Sequence, residues 1–464
     1  MRWFILTFCL CFVLQTGWVQ ASEESLHYGR FGKVTLYRES PRPLHLVLFV
    51  SGDGGWNQGV VDMARTLASL DAVVAGIDIT HYLRELRNSP EACFYPASDF
   101  ELLSKLIQKR FDFPNYVPPI LVGYSSGATL VYAVLVQAPP NTFQGAISLG
   151  FCPDLPLTKP LCRGSGLEWT RGPHGKGYSF LPATNLRTPW IAFQGTIDQV
   201  CNANAVENFV KQVRQGEIVL LPKVGHGFAV QRNWMPQFKE AFKRLISTPK
   251  IDRPSTIDEL KDLPLIEVLP KGSFRDIMAV ILSGDGGWAG IDRELGNTLA
   301  SHGVPVVGFN SLQYFWTGRT PHGAAKDLER ILQHYLSAWH KERTILIGYS
   351  LGADVLPFLA SRLPNETLDR VKLISLLGPE LSVDFEFHVT DWLGLPTKNQ
   401  SLFVLPEVEK LKGKNILCFY GDDEGNSLCK KLDQSLARVV MLKGGHHFGG
   451  DYRAIAETIL KETE

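Results

Sequence analysis

The chain predicts an α/β architecture built twice: two tandem domains, each a mostly parallel sheet flanked by helices. Three observations carry this. The same landmarks occur twice in the same order. Short β-branched runs alternate with helix-length amphipathic stretches, the pattern of βαβ units. Finally, 464 residues exceed one domain at roughly 150 residues each, and a copy of about 200 residues can bury its own core.

Met1-Arg2-Trp3 opens with a positive charge, Phe4 to Leu14 is almost unbroken apolar, and Val19-Gln20-Ala21 offers small residues for cleavage. Residues 1–21 are therefore expected to be a secretory signal peptide, since the run is too short to span a bilayer comfortably. The mature chain is expected outside the cytoplasm. Leu46 to Val50 is a strand-like run followed by Ser51-Gly52-Asp53-Gly54-Gly55-Trp56, and Ile277 to Leu282 is followed by the same six residues, Ser283 to Trp288. Val73 to Ile77 and Val304 to Phe309 are further strands, and Leu328 to Trp339 has helical spacing. Pro119 to Val122 leads into Gly123-Tyr124-Ser125-Ser126-Gly127, and Thr344 to Ile347 into Gly348-Tyr349-Ser350-Leu351-Gly352. Trp190 to Phe193 precedes Gly195-Thr196-Ile197-Asp198, and Ile416 to Tyr420 precedes Gly421-Asp422-Asp423-Glu424. Gly225-His226-Gly227-Phe228 and Gly445-His446-His447-Phe448 complete the series. Ser to acid spans 73 positions in one copy and 74 in the other, and Ser to His spans 101 and 96.

The copies are read as domains 22–246 and 274–464. The stretch 247–273 carries Pro249, Pro254, Pro264 and Pro270 among charges and is expected to be a linker. Within it, Leu265 to Leu269 could open the second domain. Lys+Arg and Asp+Glu are both 47, so no global field draws the chain to nucleic acid or to an anionic membrane. Membrane contact is expected to be transient and local. Six cysteines follow the signal peptide, an even number that suggests disulfides in an exported chain. Cys418 and Cys429 are the natural pair of the second copy, while Cys93, Cys152, Cys162 and Cys201 leave three connectivities open. No Cys-x-x-Cys or His-x-x-x-His cluster supports a metal site, and no cofactor is expected.

Gly-x-Ser-x-Gly between a strand and a helix is a nucleophile-elbow signal, and the order Ser, acid, His is that of α/β-hydrolases. Each domain is therefore expected to be of α/β-hydrolase type. A serine hydroxyl needs an imidazole to take its proton, and the imidazole needs a carboxylate to fix its tautomer. Ser350, Glu424 and His446 are the expected catalytic set, with Asp423 and His447 as alternates one residue away. Ser125, Asp198 and His226 are a second candidate set, and the better-formed site is expected in the C-terminal copy. Gly284, Asp285 and Gly286 lie where an oxyanion donor is expected, with the backbone N–H of Leu351 as the second donor. The stretch from about Phe385 to Pro406, expected to shape specificity, has no readable code.

The Ser283–Trp288 turn, Gly348 to Phe358, and Gly444 to Tyr452 resemble the AcvB/VirJ family of bacterial virulence proteins, and the two-domain layout with a signal peptide is similar to its AcvB-type members. The resemblance covers essentially the whole mature chain. It implies a periplasmic serine hydrolase acting on the aminoacyl ester of lysyl-phosphatidylglycerol, and a link to type IV secretion proteins and virulence. A pocket selecting lysine should contain carboxylates, and Asp285, Asp354 and Glu380 are the candidates. The competing readings are a periplasmic adaptor with a retained hydrolase fold and a general carboxylesterase.

Overall fold

The structure is a computed structural model that describes residues 22–172, 175–247, 260–270, 272, 275–387 and 401–463. The expected signal peptide, residues 248–259 of the expected linker and residues 388–400 of the stretch expected to shape specificity lie outside the described residues.

The first sheet has eight strands: β1 (Ser22–Tyr28), β2 (Gly32–Arg38), β3 (His45–Val50), β4 (Ala72–Ile77), β5 (Ile120–Tyr124), β6 (Gly145–Leu149), β7 (Trp190–Gly195) and β8 (Gly216–Leu221). Their order across the sheet is β1-β2-β4-β3-β5-β6-β7-β8. The second sheet has seven: β9 (Leu265–Val268), β10 (Ile277–Leu282), β11 (Val306–Phe309), β12 (Arg343–Tyr349), β13 (Val371–Leu377), β14 (Ile416–Gly421) and β15 (Arg438–Leu442), ordered β9-β11-β10-β12-β13-β14-β15. From β2 onward the two sheets match strand for strand. In each, an antiparallel strand, β2 or β9, precedes a wholly parallel body, and in the first sheet β1 adds a further antiparallel strand at the edge. The fold is thus α/β-hydrolase-type in both halves. Strand β9 lies inside the stretch read as a linker, because Leu265 to Val268 satisfies its backbone against β11.

Helices cover both faces of each sheet, so the central strands are continuous apolar runs rather than alternating ones. Side chains on successive residues face opposite cores. Leu46, Leu48 and Val50 enter one core while Val47 and Phe49 enter the other. Met278, Val280 and Leu282 are likewise divided from Ile277, Ala279 and Ile281.

The domains meet through the helix Pro96–Arg110 and the loop after it. Tyr116, Leu312, Trp316 and Phe387 form one apolar cluster, drawn from both halves. Trp316 Nε1 donates to the Phe113 carbonyl at 2.7 Å, and Lys109 Nζ donates to the Trp316 carbonyl at 2.6 Å. Disulfides join Cys93–Cys162, Cys152–Cys201 and Cys418–Cys429, with Cα–Cα separations of 5.0, 5.5 and 5.6 Å. Such bridges suit an oxidising compartment. Among the described residues no helix is long and apolar enough to cross a membrane.

Candidate active site

Each nucleophile candidate sits on a sharp turn between a parallel strand and a helix, Ser126–Gln137 in one copy and Leu351–Ala360 in the other. Ser125 and Ser350 have φ of 54° and 51°, a region costly for a non-glycine residue. The turn can form only because its glycines approach backbone. A β-carbon on Gly127 would lie 2.3 Å from the Ser51 carbonyl oxygen, and one on Gly352 would lie 2.2 Å from that of Leu282.

The repeated Ser-Gly-Asp-Gly-Gly-Trp turn has a structural explanation residue by residue. Ser51 Oγ accepts the Ile79 N–H and Ser283 Oγ the Ser311 N–H, which fixes the loop after the neighbouring strand. Trp56 covers Gly76 and Trp288 covers Gly308, where any side chain would overlap the indole. Gly52 and Gly284 bring the turn against the nucleophiles, with built β-carbons 3.0 and 3.4 Å from the Ser125 and Ser350 β-carbons.

In the N-terminal copy the chain of hydrogen bonds is continuous. Ser125 Oγ lies 2.9 Å from His226 Nε2, and His226 Nδ1 lies 2.9 Å from Asp198 Oδ2. Gln194 Nε2 donates to the same Asp198 oxygen, and the Val200 and Cys201 N–H groups donate to the other. Burial alone would raise the Asp198 carboxyl, but the Cys201 N–H, the His226 ring and the Val200 N–H outweigh it and hold it below the usual range. Asp198, Cys201 and His226 present atoms within 4.8 Å of one another. Because Cys201 Sγ is taken by the disulfide, this grouping is not assigned to a metal.

In the C-terminal copy the acid and base meet, with His446 Nδ1 2.6 Å from Glu424 Oε1. Glu424 Oε2 also accepts the Gly421 N–H at 2.6 Å. Asp423 is exposed and has no side-chain hydrogen bond among the described residues, and Asp422 instead accepts the Gly444 N–H. His447 Nδ1 lies 3.1 Å from Tyr349 Oη rather than against an acid. Burial and the neighbouring His446 lower its pKa. Among the described residues no hydrogen bond joins Ser350 Oγ to His446. The hydrogen-bond chain is thus continuous in the N-terminal copy and open at the nucleophile in the C-terminal copy, which the sequence points to as the better formed. His446 is 36% exposed against 18% for His226, so fewer contacts pin its ring, and such bonds can tighten on substrate binding.

Tyr124 and Tyr349 escaped the sequence reading as site residues. Their hydroxyls donate to the carbonyls of His226 and His446 and anchor both histidine loops. Gly150 and Gly378, both at positive φ, escaped it too. Each leaves room for the imidazole, and a β-carbon on Gly378 would lie 2.8 Å from His446 Cε1. Recurrence of these residues in both copies was the available signal. Of the head-group candidates, Asp354 is buried and accepts the Glu380 N–H at 2.6 Å, Asp285 is half-buried, and Glu380 is exposed. Burial, Glu380 and Asp285 together push the Asp354 carboxyl well up.

The fold is of the α/β-hydrolase class, and each copy carries a serine elbow, an acid and a histidine in that order. The chain belongs to the VirJ family of bacterial virulence proteins, whose model matches residues 45–149 and 276–464. The first segment contains Ser125 but ends before Asp198 and His226, whereas the second contains every landmark of its copy. No curated protein matches the chain. Among solved structures it is similar to the esterase domain of a Rhodothermus marinus protein at 15% identity, covering 48% of this chain and 98% of that one, with a TM-score of 0.33. Est1E from Butyrivibrio proteoclasticus is 14% identical, with coverage of 48% and 98% and a TM-score of 0.33. A dienelactone hydrolase from Anabaena variabilis is 17% identical, with coverage of 49% and 97% and a TM-score of 0.35.

Proposed function

We propose that this protein is an exported serine hydrolase that cleaves the aminoacyl ester of lysyl-phosphatidylglycerol at its C-terminal site. Membership of the VirJ family supports the reading. The observation that carries it is the group of carboxylates around Ser350: Asp354, four residues on, accepts the Glu380 N–H at 2.6 Å, and Asp285 lies in the turn packed against the nucleophile. Carboxylates grouped in this way supply the charge-assisted acceptors that an ammonium group needs. A substrate with two ammonium groups, one beside the ester and one at the end of the lysine side chain, matches such a group in charge.

The reaction follows from the groups present. Ser350 Oγ attacks the ester carbonyl, and its proton passes to His446 Nε2. Glu424 holds the other ring nitrogen and steadies the positive charge. The Leu351 N–H and the Gly284–Gly286 turn receive the oxyanion. The lipid alcohol leaves with the proton, and water then releases lysine from the acyl-enzyme.

The test is incubation of the purified full chain with vesicles of lysyl- or alanyl-phosphatidylglycerol, with release of amino acid measured. The lysyl lipid should be preferred by on the order of ten- to a hundredfold, the value of a charge-assisted contact of roughly 1.5–3 kcal/mol. Ser350→Ala should abolish lysine release. If no lysine is released by protein that still reacts with a fluorophosphonate, the general-esterase reading replaces this one.

A further inference from the structure

We propose that the N-terminal domain is a second hydrolytic centre, with Ser125 as nucleophile, and that it takes esters of uncharged acyl groups. The machinery is continuous from hydroxyl to carboxylate, through contacts of 2.9 and 2.9 Å. It is also braced, because the Asp198 loop is tied by the Cys152–Cys201 disulfide to the loop after β6. A decayed hydrolase retained only for binding has no need to hold an elbow at φ 54° with its base and acid aligned.

The substrate class follows from a position-by-position comparison of the two centres. The Ser125 N–H donates to the Leu149 carbonyl, and the Ser350 N–H to that of Leu377. These bonds align the loops, so that Gly150 matches Gly378 and Cys152 matches Glu380. Four residues beyond each nucleophile, Thr129 matches Asp354. The same bridge is made in both copies with opposite polarity. Asp354 accepts the Glu380 N–H at 2.6 Å, whereas Thr129 Oγ1 donates to the Cys152 carbonyl at 2.5 Å. Two carboxylates of one site are therefore a hydroxyl and a disulfide sulfur in the other. Asp53, the counterpart of Asp285, accepts the Ser126 hydroxyl on both oxygens at 2.7 Å, a bond that Leu351 cannot supply to Asp285. On the rim, Ile197 and Val200 flank the acid at 61% and 68% exposure, where the other copy has Asp423 and Asn426. The N-terminal centre thus keeps the chemistry, replaces two of the three carboxylates with neutral groups, and holds the third, Asp53, on the Ser126 hydroxyl.

Ser125 Oγ attacks the acyl carbon and its proton moves to His226 Nε2. The bond to the alcohol breaks, and the alcohol leaves with that proton. Water attacks the acyl-serine, the carboxylic acid departs, and Ser125 regains its proton.

The test uses the full chain. A fluorophosphonate is added to the wild type and the labelled residue is located by peptide mapping, which needs no variant to fold. In a Ser350→Ala background, turnover of p-nitrophenyl butyrate is measured with and without Ser125→Ala. Nα-blocked norleucine and lysine p-nitrophenyl esters are compared in the same background. Label is expected on Ser125, with a further loss of roughly 10³-fold or more on Ser125→Ala and faster turnover of the norleucine ester. Absence of label at Ser125, unchanged butyrate turnover without it, or preference for the lysine ester overturns the proposal. Release of lysine from the lysyl lipid is read in parallel, so failure of the C-terminal reading shows independently.

Discussion

At the scale of single residues, Asp354 is where stability and the proposed selectivity pull apart. Its carboxyl is pushed well up by burial, Glu380 and Asp285. A raised folded-state pKa means that the fold binds this proton more tightly than the unfolded chain does. Stability contributed by the protonated form is therefore present below the ordinary carboxylate pKa and is lost as pH rises towards the folded value. Asp354→Asn keeps an oxygen to accept the Glu380 N–H and removes the charge. It should raise the melting temperature at pH 7, with little change at pH 3.5, and it should shrink the preference for the lysyl over the alanyl lipid. A melting temperature at pH 7 that falls would show that Asp354 is ionised and compensated in the fold.

At the scale of elements, the two acid loops are stapled by different means. Cys429 follows the Glu424 loop and is bonded back to Cys418 on β14, the strand that delivers Glu424. Cys201 follows Asp198 and is bonded across to Cys152, after β6. A loop closed over a separation of 11 residues is worth about 3 kcal/mol in chain-entropy models. Replacing both Cys418 and Cys429 with serine should lower C-terminal turnover more than N-terminal labelling, because the Glu424 loop loses its tether while Asp198 keeps its own. Calorimetry together with lysine release would show this, and an unchanged turnover would mean that the bonds from the Lys430 ammonium to the Glu424 carbonyl and from the Gly421 N–H to the Glu424 carboxylate suffice to hold the acid.

At the scale of the whole molecule, the domains are coupled at one of the sites. Lys105, on the N-terminal helix Pro96–Arg110, is only 1% exposed. Its Nζ pairs with Glu101 at 3.0 Å and donates at 3.2 Å to the carbonyl of Asp285, within the turn beside Ser350. Burying an ammonium is tolerable only where such partners meet it. Lys105→Met should therefore loosen that turn and lower turnover of the lysyl lipid about threefold to tenfold, in line with couplings of roughly 0.5–2 kcal/mol. Hydrolysis of neutral esters by the N-terminal domain is the comparison. Equal loss at both sites would point to general destabilisation instead.

The duplication, the strand-before-landmark order and the Cys418–Cys429 pair were legible in the sequence because each depends on local spacing. A nucleophile elbow is a requirement on a few consecutive dihedrals, and glycines declare it. The Ser, acid and His landmarks each end a strand of a parallel sheet, so their order survives whatever the loops do. Contact between Glu424 and His446, rather than Asp423 or His447, turns on one residue of loop register, which spacing alone left open. The pairing of Cys93, Cys152, Cys162 and Cys201, the match of Thr129 to Asp354 across the copies, and the reach of Lys105 to a residue 180 positions away were decided only in three dimensions. The physical reason is common to them. Local patterns are set by backbone sterics and the burial of one face, whereas these features depend on which separate loops and domains the packed cores bring side by side.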